Sequence, residues 1–140
     1  MFYATSVIIR ADVEKVWSIL TDVERWPEWT PSVTSVRRLD EGPFALGSQA
    51  RVEQPKLRPA VWTVTEIEPG VSFDWAARNP GVTTIGGHRL TARPNGTVEC
   101  LLTIGHRGPL APLIGLLTGS LTRRYLEMEA TGLKHRAETT

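Results

Sequence analysis

His88 sits in a row of apolar residues and is the first side chain in this sequence that could do chemistry. The series Val82, Gly86, His88, Leu90, Ala92 puts it on the inner parity of a strand. There a group that titrates near neutrality could orient a ligand or move a proton. The plainer reading is a core imidazole bonded to a backbone carbonyl, or one at the sheet rim reaching water. Tyr125, on the apolar stripe of a helix, carries a hydroxyl that needs a partner when buried. His88 and Tyr125 are therefore the candidate catalytic residues, as an acid/base pair. Gln54 could add a neutral amide to the interior, unless a bulge near Pro55 turns it outward. Cys100, on an inner strand parity, reads as a small core hydrophobe rather than a nucleophile.

Other chemistries find no support. The three histidines, His88, His106 and His135, lack metal-ligand spacing, and His106 and His135 are expected at the surface. No Gly-x-Gly-x-x-Gly, Walker-type or Gly-x-Ser-x-Gly motif occurs, so no cofactor and no metal are expected. Across 140 residues, 41% are hydrophobic and 22% charged, and the formal net charge of +1 argues against a nucleic-acid partner. A single cysteine excludes an intrachain disulfide and a Cys-rich metal site. The opening residues alternate like a strand rather than a signal peptide. The greasiest window, Leu110 to Leu121, is short of the roughly 20 residues that cross a bilayer. One soluble, cytoplasmic domain over residues 1–140, without stable membrane insertion, is the expectation.

These residues must be positioned by strands and one dominant helix. Phe2 to Arg10 reads as a strand, and Asp12 then caps a short helix carrying Val13, Val16, Trp17 and Leu20 inward. Thr21 with Glu24 has the form of a capping box for a second short helix, stopped by Pro27 and Pro31. Strands are predicted over Val33–Leu39, Gly47–Gln54, Ala60–Glu68, Val71–Arg78, Val82–Arg93 and Thr97–His106, separated by tight turns. Gly86 and Gly87 mark a bulge, a bend or a close approach. A long helix follows from Pro109 to Arg136. Short connections imply an antiparallel meander, and the segregation of strands from helices implies α+β.

Parity and helical spacing then name a candidate binding wall. From the strands come Trp62, Phe73, Trp75, His88, Leu90, Cys100 and Leu102; from the long helix, Leu117, Leu121 and Tyr125. The helix stripe runs Leu113, Leu117, Leu121, Tyr125, Met128. Arg123, Glu127 and Glu129 fall on its charged side, and Arg123 and Glu127 should not meet the sheet. Gly115 and Gly119 suit a close approach of helix to sheet, or room for a ligand.

Ala11-Asp12-Val13-Glu14-Lys15-Val16-Trp17, with Asp22-Val23-Glu24-Arg25-Trp26-Pro27-Glu28-Trp29, resembles the N-terminal signature of the START/Bet v 1-like (SRPBCC) superfamily. The polyketide cyclase/dehydrase and lipid-transport branch is the most similar. Trp62-Thr63-Val64-Thr65-Glu66-Ile67-Glu68-Pro69, Phe73, Trp75 and Pro94-Asn95-Gly96-Thr97 extend the resemblance over nearly the whole chain. It implies a helix-grip fold: a curved seven-stranded antiparallel sheet around the C-terminal helix, with two short helices after the first strand and an internal cavity. It also implies a small hydrophobic ligand, lipid-like or polyketide-like. Aromatase/cyclase members are thought to use inward tyrosine and arginine, whereas the positions matched here, including Val33 and Ile67, are apolar. Three functions follow. The first is binding of a small hydrophobic molecule. The second is a cyclase- or dehydrase-type enzyme using His88 and Tyr125. The third is a protein-interaction module presenting Trp26 and Trp29.

Overall fold

Alternation of apolar and polar residues makes the strands, and in the computed structural model, which describes residues 2–139, seven of them form one antiparallel sheet. They are β1 (Phe2–Ile9), β2 (Ser35–Arg38), β3 (Gln49–Glu53), β4 (Ala60–Glu68), β5 (Ser72–Asn79), β6 (Val82–Ala92) and β7 (Val98–Arg107). Their spatial order, β1-β7-β6-β5-β4-β3-β2, is a meander whose first strand returns to pair with the last. Inner-parity residues are sealed: Phe73 and Cys100 are 0% exposed, and Trp75 and Leu90 4%. The ladder runs unbroken through Gly86 and Gly87; the irregularity lies instead in β4, between Val64 and Glu66.

Helix α1 (Val13–Thr21) begins where Asp12 accepts a hydrogen bond from the Lys15 amide at 2.8 Å. The expected capping box does not form. The Thr21 hydroxyl donates back to the Trp17 carbonyl, and the Glu24 carboxylate accepts from the Arg38 amide. With that cap gone and Pro27 inside it, the second segment, Val23–Glu28, is a 3-10 helix.

Helix α2 (Ala111–Thr139) lies on the concave face of the sheet, and its phase differs from the leucine pattern. Ala111, Gly115, Gly119, Leu126, Ala130, Leu133 and Ala137 face inward. Leu117 is 70% exposed, so its assignment to the binding wall is corrected. Small residues win the inner face because the backbone must come close. The Tyr3 hydroxyl donates to the Gly115 carbonyl at 3.3 Å, and a Cβ on Gly119 would stand 2.7 Å from that hydroxyl. Near the other end, a Cβ on Gly132 would lie 1.9 Å from the Trp29 carbonyl oxygen. Arg123 and Glu127 do meet the sheet, contrary to expectation. The Arg123 guanidinium stands 5.2 Å from the Tyr3 ring centre, and Glu127 accepts from the Thr5 hydroxyl at 2.9 Å.

Candidate functional site

Between α2 and the sheet lies a cavity of about 450 Å³, partly open to solvent. That size falls within the ~300–1,000 Å³ of small-molecule sites. Strand parity builds its floor from Trp62, Trp75, Ala77, His88 and Leu102, and the roof is the flank of α2 from Ile114 to Glu129. The loop from Gln54 to Pro59 stands at one side.

Of the expected wall residues, Trp62, Trp75, His88, Leu102 and Tyr125 line this cavity. Phe73, Leu90 and Cys100 do not; they are buried in the core. Leu121 is half-buried outside the cavity, and Leu117 points to solvent. Gln54 does reach the cavity, where its amide donates to the Ser32 carbonyl at 3.2 Å. Burial pushes the Cys100 thiol up to about 12, so it is held as a thiol.

His88 is fixed on two sides. Its ring stacks on Phe73 with centroids 4.1 Å apart and planes 13° apart, and its Nδ1 lies 3.1 Å from the Phe73 carbonyl oxygen. A carbonyl only accepts, so Nδ1 carries the proton and Nε2 keeps the lone pair. Nε2 has no hydrogen-bond partner among the described residues. Burial outweighs that bond and lowers the imidazole to about 4. At neutral pH it is an uncharged acceptor.

Tyr125 does not join it. Its hydroxyl donates to the Pro55 carbonyl and so ties α2 to the Gln54–Pro59 loop. The expected His88–Tyr125 pair is therefore not formed. The hydroxyl serves as a clasp between helix and loop.

Glu129, one turn beyond Tyr125, lines the cavity although the sequence pattern sets it on the charged side of the helix. No described residue hydrogen-bonds or pairs with its carboxyl, and burial raises it to about 8. It is thus a neutral carboxylic acid at pH 7, able to donate a hydrogen bond. The missed signal is the spacing from Tyr125, since residues four apart share a helix face.

Two more lining groups escaped the sequence reading. His106 belongs to the cavity rather than the surface. Its Nδ1 lies 3.0 Å from the Thr84 hydroxyl, its Nε2 is buried without a partner among the described residues, and burial lowers it. Continuing the β7 parity from Leu102 through Ile104 would have reached it. Trp26 also lines the cavity, 3% exposed, with its indole N–H donating to the Leu20 carbonyl at 3.0 Å and its ring 5.3 Å from that of Trp75. Trp29 is half-buried against the core. Of the expected Trp26–Trp29 patch, Trp26 is buried and only Trp29 reaches the surface.

The glycines of β6 serve the cavity through close approach. A Cβ on Gly86 would come within 3.1 Å of the Trp75 indole nitrogen, so the bare backbone lets that indole lie across β6. The Trp75 indole N–H, like His88 Nε2, has no partner among the described residues.

A curved antiparallel sheet gripping one long helix over such a cavity defines the START/Bet v 1-like class. Within it, the family described as polyketide cyclase / dehydrase and lipid transport matches residues 3–138, and the chain belongs to that family. A hypothetical protein from Helicobacter pylori is similar in structure, with a TM-score of 0.83 at 16% identity over 98% of this chain and 88% of that one. So are the aromatase/cyclase Zhui from Streptomyces, at 0.79 and 18% over 99% and 93%, and a START superfamily protein from Mycobacterium smegmatis, at 0.76 and 17% over 98% and 97%. At these identities the likeness establishes the fold. No curated protein sequence matches the chain. No helix among the described residues is long and apolar enough to cross a membrane.

Proposed function

We propose that the chain binds a small, mostly apolar molecule bearing one or two polar groups in the cavity between sheet and α2. The supporting observation is the kind of wall. Trp26, Trp62, Trp75, Val52 and Leu102 supply apolar surface. Against it stand three unpartnered polar groups of different character: the Trp75 N–H as donor, His88 Nε2 as acceptor and the Glu129 carboxyl as donor. Apolar area gives affinity, while polar atoms that face the cavity without a protein partner are free to bond a matching ligand group. A ligand with a carbonyl or hydroxyl at one end suits this wall. Organic extraction of the purified protein followed by mass spectrometry, with displacement of a bound fluorescent dye, tests the reading. A co-purifying or displacing molecule of this chemistry is expected; a protein that yields none and takes up no dye refutes it.

A second reading, an enzyme of the cyclase or dehydrase type, gains from one feature. His88 is a neutral base and Glu129 a neutral acid at the same pH, on one cavity. The acid in this reading is Glu129 in place of Tyr125. Its test is whether Glu129→Gln and His88→Leu proteins still hold the extracted molecule but no longer convert it.

A further inference from the structure

The first turns of α2 are apolar on two opposite sides. Ala111, Gly115 and Gly119 are buried toward the sheet. On the outward side Leu110 is 42% exposed, Leu113 50%, Leu116 79% and Leu117 70%. The inner side is explained by packing. Leu113, Leu116 and Leu117 have no place in the core, and with Leu110 beside them they make an exposed apolar patch of the kind that marks an interaction surface.

The segments that carry and flank this patch are basic. Segments 54–60, 78–82 and 107–126 carry Lys56, Arg58, Arg78, Arg107, Arg123 and Arg124 and not one Asp or Glu, although the whole chain is nearly balanced, with 16 basic and 15 acidic residues. None of these six cations is in an ion pair among the described residues. The segments converge in space. Leu57, Arg58, Pro80, Leu110 and Ile114 all line the one cavity, and the Leu110 amide donates to the Gly81 carbonyl at 2.9 Å. Leu110, at the head of the leucine patch, and Arg58 thus meet at the exposed rim of the cavity.

We propose that this rim docks on an anionic lipid membrane. Leucines on the exposed side of the helix suit a fluid apolar phase into which each can sink. Arginines and lysines beside them suit lipid phosphates, whose surface potential attracts such clusters. A second copy of the chain is a poor occupant, because pairing two such basic rims would set like charges such as Arg58 against each other. Docking there would also bring the cavity opening to the lipid, so an apolar ligand could enter with little exposure to water. The surface itself does not depend on the cavity reading.

Co-sedimentation of the full chain with phosphatidylcholine vesicles, with and without phosphatidylglycerol, tests this. Binding to the phosphatidylglycerol vesicles is expected, weakening as salt is raised. Leu116→Ser/Leu117→Ser should lower the partition coefficient by at least about tenfold, and Lys56→Glu/Arg58→Glu should remove the salt-sensitive part. Circular dichroism and dye uptake into the cavity should be unchanged in the leucine variant, which separates this proposal from the ligand reading. Failure to bind anionic vesicles at low salt, equal binding to both vesicle types, or an unaffected leucine variant would overturn it. So would a dimer that the leucine variant dissociates in a protein that ignores vesicles, and so would capture by an acidic protein alone.

Discussion

Replacing Glu129 with glutamine should stabilise the protein at neutral pH, and by an amount that depends on pH in one direction. The carboxyl's ordinary value of 4.5 is raised to about 8 by burial, with no cation nearby to offset it. The folded state therefore holds a proton that the unfolded chain has lost between those two values. Stability contributed by this group is full below pH 4.5 and falls as pH rises towards 8. At about 1.36 kcal/mol per pH unit, the loss by pH 7 is roughly 3 kcal/mol for a fully enclosed group. Water entering the half-open cavity softens the penalty, so about half of that or more is expected. Glutamine keeps the shape and a hydrogen-bond donor but never ionises. Urea denaturation followed by tryptophan fluorescence, run on both proteins from pH 5 to 8.5, gives the difference directly, since all other titrating groups cancel. It should stay below about 1 kcal/mol at pH 5 and reach about 1.5–3 kcal/mol in favour of Glu129→Gln at pH 7. A difference that is flat with pH, or that shrinks as pH rises, would refute the placement of this carboxyl.

His88 gives the opposite slope. Its imidazole is lowered from 6.5 to about 4, so stability is lost as pH falls through that window, and histidine NMR should show one ring neutral and Nδ1-protonated down to about pH 4. A ring that titrates at 6.5 contradicts the stacked, buried geometry. Gly132→Ala reverses a common rule. Alanine in a helix interior normally gains about 1 kcal/mol, but here its Cβ would meet the Trp29 carbonyl oxygen at 1.9 Å. A loss of about 2–3 kcal/mol in chemical denaturation is expected, and a gain would mean that α2 sits farther from that turn.

Strand order and type were legible because alternation and turn residues set them locally. Phe73, Trp75 and Ala77 on one parity, and Cys100 and Leu102 on another, all fell on the buried side. The phase of α2 was not legible. Hydrophobic periodicity follows the largest apolar residues, Leu113 and Leu117, whereas packing of a helix against a curved sheet selects the smallest, Gly115 and Gly119. That error carried the site with it. It put Leu117 inside and Glu129 outside, although Tyr125 one turn earlier was placed inward. His106 was lost differently, because histidines at strand ends are usually solvated and only parity argued otherwise. The partner of the Tyr125 hydroxyl, the Pro55 carbonyl, lies 70 residues away in sequence, and no local rule reaches that far.

The central claim is that the space under α2 holds a ligand. Titration with N-phenyl-1-naphthylamine, a neutral apolar probe, followed by NMR of the indole N–H and histidine signals tests it most directly. The account predicts saturable one-to-one binding that shifts the Trp62, Trp75 and His88 signals and is abolished by Thr122→Trp, which fills the cavity from the helix side. Probe uptake that never saturates, or that leaves those three signals unmoved, would contradict it.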